Sequence, residues 1–195
     1  WDSHILVGLS SLCFVPAASA LWSVWLCLLH LDNLAGLQMT LQLILYPVLG
    51  FTYTLVIFSS CLADCIYIRC QHRSWFGKLD IRCASSALLL SILDFSLRAS
   101  LIETAGLVLV AAVAFIGSGA STSFETWVWR HSLWHVVAGA DALYGAVRQM
   151  PAGTQITGCV MPYFLCTFGM YCLTAAAVLI VLYIMPDDRK AELWE

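Results

Sequence analysis

Residues 156–185 read ITGCVMPYFLCTFGMYCLTAAAVLIVLYIM, a run that contains no Asp, Glu, Lys or Arg. Its apolar residues are continuous and do not alternate with polar ones, so the run predicts a helix and not a strand of a membrane barrel. A helix of about 20 apolar residues crosses the roughly 30 Å hydrocarbon core of a bilayer. The run therefore indicates a chain that spans a membrane.

The composition of the whole chain supports this interpretation. Hydrophobic residues make up 61% and charged residues 11% of the sequence, and the mean hydropathy is +0.86. An ordinary soluble domain is about one quarter charged. A soluble fold would leave too much apolar surface in water, so we predict an all-α, polytopic transmembrane helical bundle.

Six hydrophobic stretches are predicted to form the spans of this bundle. Pro16, Pro47 and Pro162 fall inside three of them, and in lipid such residues are tolerated as kinks because neighbouring helices satisfy the freed backbone groups. No repeat or linker interrupts the chain, so we expect residues 1–195 to form a single transmembrane domain. The predicted spans are 4–30, 40–68, 82–98, 101–119, 126–148 and 156–185.

The positions of Lys and Arg predict the orientation, because cytoplasmic loops carry an excess of both. With six spans, seven basic residues share one face and two lie on the other. We therefore expect both termini and the basic loop in the cytosol, and the segment 30–40 outside. The seven are Arg69, Arg73, Lys78, Arg82, Arg130, Arg189 and Lys190, and the two are Arg98 and Arg148.

The nine cysteines lie along apolar runs without paired spacing, so we interpret them as small buried apolar side chains. Cys61, Cys65, Cys70 and Cys83 are close in sequence and leave open a metal cluster or lipidation sites near a membrane edge. Because the chain starts at Trp1 and not at Met, we expect a piece of a longer protein, and no cleavable signal peptide is recognisable.

Polar side chains within the predicted helices mark the candidate functional site, because an ionisable group in lipid costs about 3 kcal/mol. Ser60 and Asp64 are spaced i, i+4 and share one helical face. His131 and His135 have the same spacing, which aligns two imidazoles as metal chelation requires. Asp80 precedes the third span. The topology predicts all five at similar depth on the cytosolic face.

Such a set has the chemistry of a hydrolytic metal site. Asp64, His131 and His135 offer one carboxylate and two imidazoles to Zn²⁺, with a water in the open position. Asp80 is then a candidate general base or orienting group, and Ser60 a candidate stabiliser of a developing oxyanion. These residue types predict metal-assisted attack of water.

Each residue also has a structural interpretation, which the sequence leaves open. The two histidines are also typical of a membrane interface, Ser60 of a serine bonded to its own helix, and Asp80 of a helix N-cap. The tryptophans and tyrosines fit an interfacial aromatic belt. The remaining acidic positions are interpreted as ion-pair partners of Arg98 or Arg148, namely Asp94, Glu103 and Asp141.

Three stretches resemble the CREST superfamily of membrane hydrolases, which includes alkaline ceramidases, progestin and adiponectin receptors, and the Per1-like and transmembrane protein 8 families. They are Leu9-Ser-Ser-Leu-Cys-Phe-Val-Pro16, the 60–80 region, and His131-Ser-Leu-Trp-His135. The chain looks most like the transmembrane protein 8 and myomaker branch. In that family a Ser-x3-His pair, an Asp on the next helix and a late His-x3-His pair form the signature.

The resemblance implies a role for each matching residue. Ser60 takes the position of the family's serine, Asp80 that of its aspartate, and His131 and His135 those of its zinc-binding histidines. Asp64 stands where the family has a third histidine, so the implied site is His₂Asp, which binds zinc more weakly or favours another metal. The family normally has seven spans, against six predicted here.

Two classes of function follow. The first is a zinc-dependent hydrolase of an acyl ester or amide bond in a lipid. The second is a non-catalytic receptor, scaffold or membrane-remodelling protein, which the missing third histidine favours. A small transporter or channel is a third interpretation. The expected partners are membrane lipids, with a second copy of the chain or a helper subunit as candidates, and the net charge of -3 is too small to indicate a nucleic acid.

Overall fold

The computed structural model describes residues 2–30, 37–66, 75–97, 99–148 and 156–184. Within these ranges the regular structure is entirely helical, so the predicted all-α fold class is confirmed. The elements are α1 (Asp2–Ser10), a 3₁₀ turn (Ser11–Phe14), α2 (Val15–Leu29), α3 (Leu37–Ile66), α4 (Trp75–Ser96), α5 (Leu101–Gly119), α6 (Phe124–Arg148) and α7 (Ile156–Ile184).

Four helical segments of the described chain are long and apolar enough to cross a bilayer. This is consistent with the predicted multi-pass membrane protein. Helices α4 and α6 are outside this set because charged and polar residues interrupt their apolar runs, and as spans they remain predictions. The four segments are Leu6–Leu29, Thr40–Asp64, Leu101–Gly119 and Gly158–Val181.

Local sequence signals account for the ends and the prolines of these helices. The Ser100 hydroxyl accepts the Glu103 N–H at 3.1 Å and the Glu103 carboxylate accepts the Ser100 N–H at 3.3 Å, which forms a capping box at the start of α5. Pro16 lies in the first turn of α2, where the backbone N–H has no acceptor within the helix, so proline is tolerated there. Pro47 and Pro162 lie inside α3 and α7.

Helix α2 is the centre of the bundle and contacts α3, α6 and α7, while α3 also contacts α1 and α4, and α5 lies on α6. The small buried residues of α2, such as Ala17 and Ala18, permit close packing of its neighbours. At Gly139 of α6 an added Cβ would lie 2.5 Å from the Cys13 carbonyl oxygen. Helix α6 therefore approaches the 3₁₀ turn this closely because Gly139 has no side chain.

A disulfide joins Cys27, near the end of α2, to Cys159, near the start of α7, with a Cα–Cα distance of 6.0 Å. The prediction that these two cysteines are merely buried apolar side chains is therefore wrong. The sequence gives no signal for the bond, because the two residues are 132 positions apart and have no local spacing pattern. Cys61 and Cys83 are buried, as predicted, whereas Cys166 and Cys172 on α7 are exposed, so for these two the prediction is also wrong. Several residues used in the predictions lie outside the described part, namely Arg69, Cys70, Arg73, Arg98, Arg189, Lys190 and the side chain of Cys65.

Candidate metal centre

The last turns of α3 supply a buried hydroxyl and a buried carboxylate. Ser60 is 1% exposed and Asp64 is 5% exposed. Because they are one helical turn apart, the Ser60 hydroxyl lies 3.3 Å from Asp64 Oδ2 and can donate to it. A carboxylate at this depth needs such a donor or a cation nearby.

Two imidazoles of α6 face the same carboxylate oxygen. His131 Nε2 lies 3.4 Å and His135 Nε2 lies 3.7 Å from Asp64 Oδ2. The ring centroids of the two histidines are 4.7 Å apart. His135 is buried and His131 is half-buried. The i, i+4 spacing of the histidines and the contact of α6 with α1, α2 and the 3₁₀ turn bring three donor groups from two helices together.

The spacing of these donor atoms fits a divalent metal ion. A tetrahedral zinc ion with bonds of about 2.0–2.1 Å separates its ligand atoms by about 3.3 Å. The two carboxylate–imidazole distances of 3.4 and 3.7 Å are close to this value, and all three ligand atoms lie within 4.8 Å of one another. His131 Nε2 is buried without a hydrogen-bond partner in the described chain. The triad of Asp64, His131 and His135 can therefore hold a metal ion, and Zn²⁺ is compatible with it.

Serine hydroxyls contact the other nitrogen of each imidazole. Ser10 Oγ lies 2.8 Å from His135 Nδ1, and Ser118 Oγ lies 2.9 Å from His131 Nδ1. Metal-binding histidines commonly hydrogen-bond through their second nitrogen in this way. Sequence reasoning missed both serines. Ser10 has no spacing relation to His135, whereas Ser118 ends the helix before His131 and could have been considered on that ground.

Aromatic rings cover two sides of the histidine pair. The Trp127 ring stacks on His131 with 4.7 Å between centroids. The Phe14 ring meets His135 edge-on with 6.0 Å between centroids. Trp127 is therefore more than the interfacial belt residue of the structural interpretation, since it forms one wall of the cluster. These rings limit the access of water and strengthen charge interactions inside the cluster.

Ser60 and Asp80 lie beside the triad. Ser60 Oγ is 3.2 Å from His135 Nε2 as well as near Asp64, so it borders two of the three donor groups, and its side chain does not only bond back to its own helix. Asp80 Oδ1 lies 3.5 Å from Ser59 Oγ, and the Asp80 carboxyl group also hydrogen-bonds Ser60.

Asp80 lies within α4, because that helix already begins at Trp75. The prediction that Asp80 precedes this helix is therefore wrong, and so is the alternative that Asp80 is its N-cap. Asp80 lies in the second turn of α4. Burial raises the pKa of Asp80 to about 7, and the neighbouring Asp64 carboxylate adds to the increase. Near neutral pH its carboxyl group can thus both take up and release a proton.

A mostly apolar cavity of about 100 Å³ lies on the other side of Phe14, whose ring contacts His135. Phe14 is the lining residue that contacts His135, and Trp134, Ala138 and Ala142 contribute the lining along α6. Residues of the 3₁₀ turn and of helices α2 to α6 line this cavity.

Two carboxylates line the same cavity away from the triad, those of Asp94 and Asp141. Asp141 Oδ2 is buried without a hydrogen-bond partner in the described ranges. The predicted ion-pair role is confirmed for Glu103, whose Oε1 lies 3.9 Å from Arg148 Nε. This pair is largely exposed and contributes little to stability.

The fold and the site together define an all-α bundle with apolar, membrane-length helices and a buried Asp–His–His cluster beside an apolar cavity. Comparison with protein-family models, with curated proteins and with solved structures finds no match.

Proposed function

We propose that this chain is a metal-dependent hydrolase of the CREST type, closest to the transmembrane protein 8 and myomaker branch, that cleaves an acyl ester or amide bond of a membrane lipid. The observation that carries the proposal is the convergence of Asp64, His131 and His135 on one point within the bundle. These three residues would hold the metal ion. Zn²⁺ is the leading candidate, although one carboxylate ligand weakens its binding and makes another divalent ion an alternative.

The chain's own residues account for the remaining steps. A divalent ion held by Asp64, His131 and His135 would polarise an acyl carbonyl and lower the pKa of a nearby water. Asp80 takes a proton from the attacking water and returns it to the leaving oxygen or nitrogen. Ser60 donates a hydrogen bond to the oxygen that becomes negative during attack. Trp127 and Phe14 keep bulk water away from the reacting groups.

The cavity next to the cluster supports a lipid substrate. Because Phe14 contacts His135 and also lines the cavity, a lipid with its scissile carbonyl at the cluster could place its hydrocarbon chain against Ala138 and Ala142. Apolar walls bind such a chain by removing its surface from water. The cavity thus supports an apolar chain in the ligand, and the attachment of that chain through an ester or amide is what the CREST resemblance implies.

The orientation of the site has support from two independent features. The basic residues predict that the α3–α4 end of the bundle faces the cytosol. The disulfide between Cys27 and Cys159 forms in an oxidising compartment, and Cys27 lies about 20 Å along α2 from Phe14, which borders the cluster. We therefore place the disulfide on the exterior or lumenal side and the metal centre toward the cytosol.

Hydrolysis of lipids by the purified chain tests the proposal. The zinc-loaded protein in detergent or bilayers is incubated with ceramides and phospholipids, and released fatty acid is measured. We expect release that a chelator abolishes, that added metal restores, and that the His131→Ala, His135→Ala double variant lacks. A metal-loaded, folded protein that releases no fatty acid from any of these lipids contradicts the hydrolase.

A second function is favoured by one specific residue. Asp64 stands where the resembling family has a histidine, and that change fits a non-catalytic receptor, scaffold or membrane-remodelling protein of the same branch. In that case the metal ion has a structural role, so its removal lowers thermal stability while lipid hydrolysis is absent from the outset. Measuring stability and hydrolysis on the same samples separates the two functions.

A further inference from the structure

The cavity inside the bundle has a polar end that the proposed mechanism does not use. Asp141 of α6 and Asp94 of α4 line this end, together with Ser91 and Tyr53, whose hydroxyl oxygens lie 2.8 Å apart. We propose that the polar end binds the protonated amino group of a single-chain aliphatic amine, whose hydrocarbon chain lies along the apolar wall of the cavity. This site depends neither on the metal ion nor on hydrolysis.

A carboxylate oxygen at the polar end lacks a hydrogen-bond partner. Asp141 is half-buried as a residue, but its Oδ2 is buried and has no partner in the described ranges. Asp94 is 5% exposed, and the negative charges of both carboxylates reach Tyr53, so the two acids share one region of the cavity. A buried charge is unfavourable unless a cation or hydrogen-bond donors compensate it. The polar end therefore favours a ligand that brings a positive charge.

The hydrogen-bonding capacity of the polar end narrows the head group further. An ionised carboxylate only accepts hydrogen bonds. The Thr104 hydroxyl also lines the cavity, but it already donates to the Ser100 carbonyl oxygen at 3.1 Å. A protonated primary amine has three donors and no acceptor, whereas a carboxylate or phosphate head group would meet two negative charges. The polar end thus matches an ammonium group and rejects an anionic lipid.

The remainder of the cavity fits one hydrocarbon chain. On α4 the lining begins at Ala84, and Asp94 follows ten residues later, which corresponds to about 15 Å of helix. A volume of about 100 Å³ is too small for a lipid with two chains. Apolar lining residues such as Val108 bind a chain by removing its surface from water. Because Ala142 belongs to the same wall, the amine and the substrate chain of the proposed function would exclude each other.

The polar end lies where the head group of a membrane amphiphile is expected. Asp94 is two residues before the end of α4, and Thr104 is the fourth residue of α5. Asp80, beside the metal centre, is fourteen residues before Asp94, so the polar end is about 21 Å farther along α4. Leu88 lines the cavity and is also 42% exposed, so the cavity reaches the outer surface of the bundle there. An amine could therefore enter sideways from the lipid.

Binding of three probes with the same chain tests the assignment. The full chain in phosphatidylcholine nanodiscs is dialysed to equilibrium against radiolabelled octylamine, octanol or octanoate near neutral pH, and binding to empty nanodiscs is subtracted. We expect about one octylamine per chain, bound about 10-fold or more tightly than octanol, and no saturable binding of octanoate. Octanol that binds as tightly as octylamine, or octylamine that shows no saturable binding, overturns the proposal.

Two variants locate the bound amine. Asp141→Asn keeps the size of the side chain and is expected to weaken octylamine binding about 10-fold or more, with little change for octanol. Ala142→Phe fills the apolar part and is expected to weaken binding of both. Glu103→Gln is the matched control, because it removes a carboxylate that pairs with Arg148 at the surface and keeps a residue suited to the capping box. Unchanged octylamine binding in folded Asp141→Asn, or an equal loss in Glu103→Gln, contradicts the proposal.

The outcomes distinguish this site from the proposed function. The His131→Ala, His135→Ala double variant in the presence of a chelator is expected to bind octylamine with the wild-type affinity. Selective amine binding by a chain that holds no metal and hydrolyses no lipid supports this site and removes the hydrolase. Metal-dependent hydrolysis without selective amine binding removes this site and leaves the hydrolase in place.

Discussion

Replacing Gly139 with Ala is expected to damage both the stability of the bundle and the metal centre. The added Cβ would lie 2.5 Å from the Cys13 carbonyl oxygen and 2.8 Å from the Cys13 carbonyl carbon. An ordinary carbon–oxygen contact is about 3.3–3.6 Å. Because the atoms of Cys13 in question belong to the backbone, helix α6 must move away from the 3₁₀ turn by about 1 Å.

The size of the effect follows from this displacement. Overpacking of a closely packed interface costs about 1–3 kcal/mol. His135 is one helical turn before Gly139, so the same movement lengthens its 2.8 Å contact with Ser10. Loss of that outer contact is expected to weaken zinc binding about 10-fold or more.

Thermal unfolding and zinc titration of the purified variants measure the two effects. Gly106→Ala in α5 is the control, because an added Cβ there meets nothing within 4 Å. That substitution is expected to leave stability unchanged or raise it by up to about 1 kcal/mol through helix propensity. If Gly139→Ala unfolds at the temperature of Gly106→Ala and binds zinc equally well, the close approach does not hold His135 in place.

Three further predictions concern the base, the cavity and the disulfide. Asp80→Asn is expected to retain bound zinc while hydrolysis falls about 100-fold or more, and equal activity in the variant contradicts a general base. Ala142→Phe fills the cavity and is expected to slow the hydrolysis of long-chain lipids but not of a short-chain ester, while the zinc content stays unchanged. If both substrates are hydrolysed equally slowly, the cavity does not bind the lipid chain. Cys27→Ser is expected to lower the free energy of unfolding by about 2–5 kcal/mol. The unfolding temperature of this variant should no longer respond to a reducing agent, and a response that persists would mean that a different disulfide stabilises the chain.

Much of the fold could be predicted because it depends on local properties of the sequence. Predicted span 101–119 coincides with α5 (Leu101–Gly119), and predicted span 156–185 with α7 (Ile156–Ile184), since a long apolar run has few alternatives to a helix. The third predicted span begins at residue 82, whereas α4 begins at Trp75. The first turns of α4 contain Lys78 and Asp80, so they are not part of an apolar run. Hydropathy detects only the apolar part of a helix and therefore gives no signal for these turns.

The site could be predicted where its geometry is periodic. The spacing of Ser60 with Asp64, and of His131 with His135, fixes each pair on one helical face, and antiparallel topology brings the pairs to one depth. The contribution of Ser10 and the bond between Cys27 and Cys159 depend on tertiary contacts between distant parts of the chain. No sequence period encodes such contacts, so they become visible only in the structure.

The metal content of the purified chain tests the central claim most directly. Elemental analysis in detergent is compared between the wild-type protein and the His131→Ala, His135→Ala double variant, with Gly106→Ala as a folded control. We predict about one zinc or other divalent ion per chain in the wild type and in the control, and none in the double variant. Wild-type protein that remains metal-free after exposure to zinc, manganese, iron(II) and cobalt(II) would contradict the metal centre and the mechanism built on it.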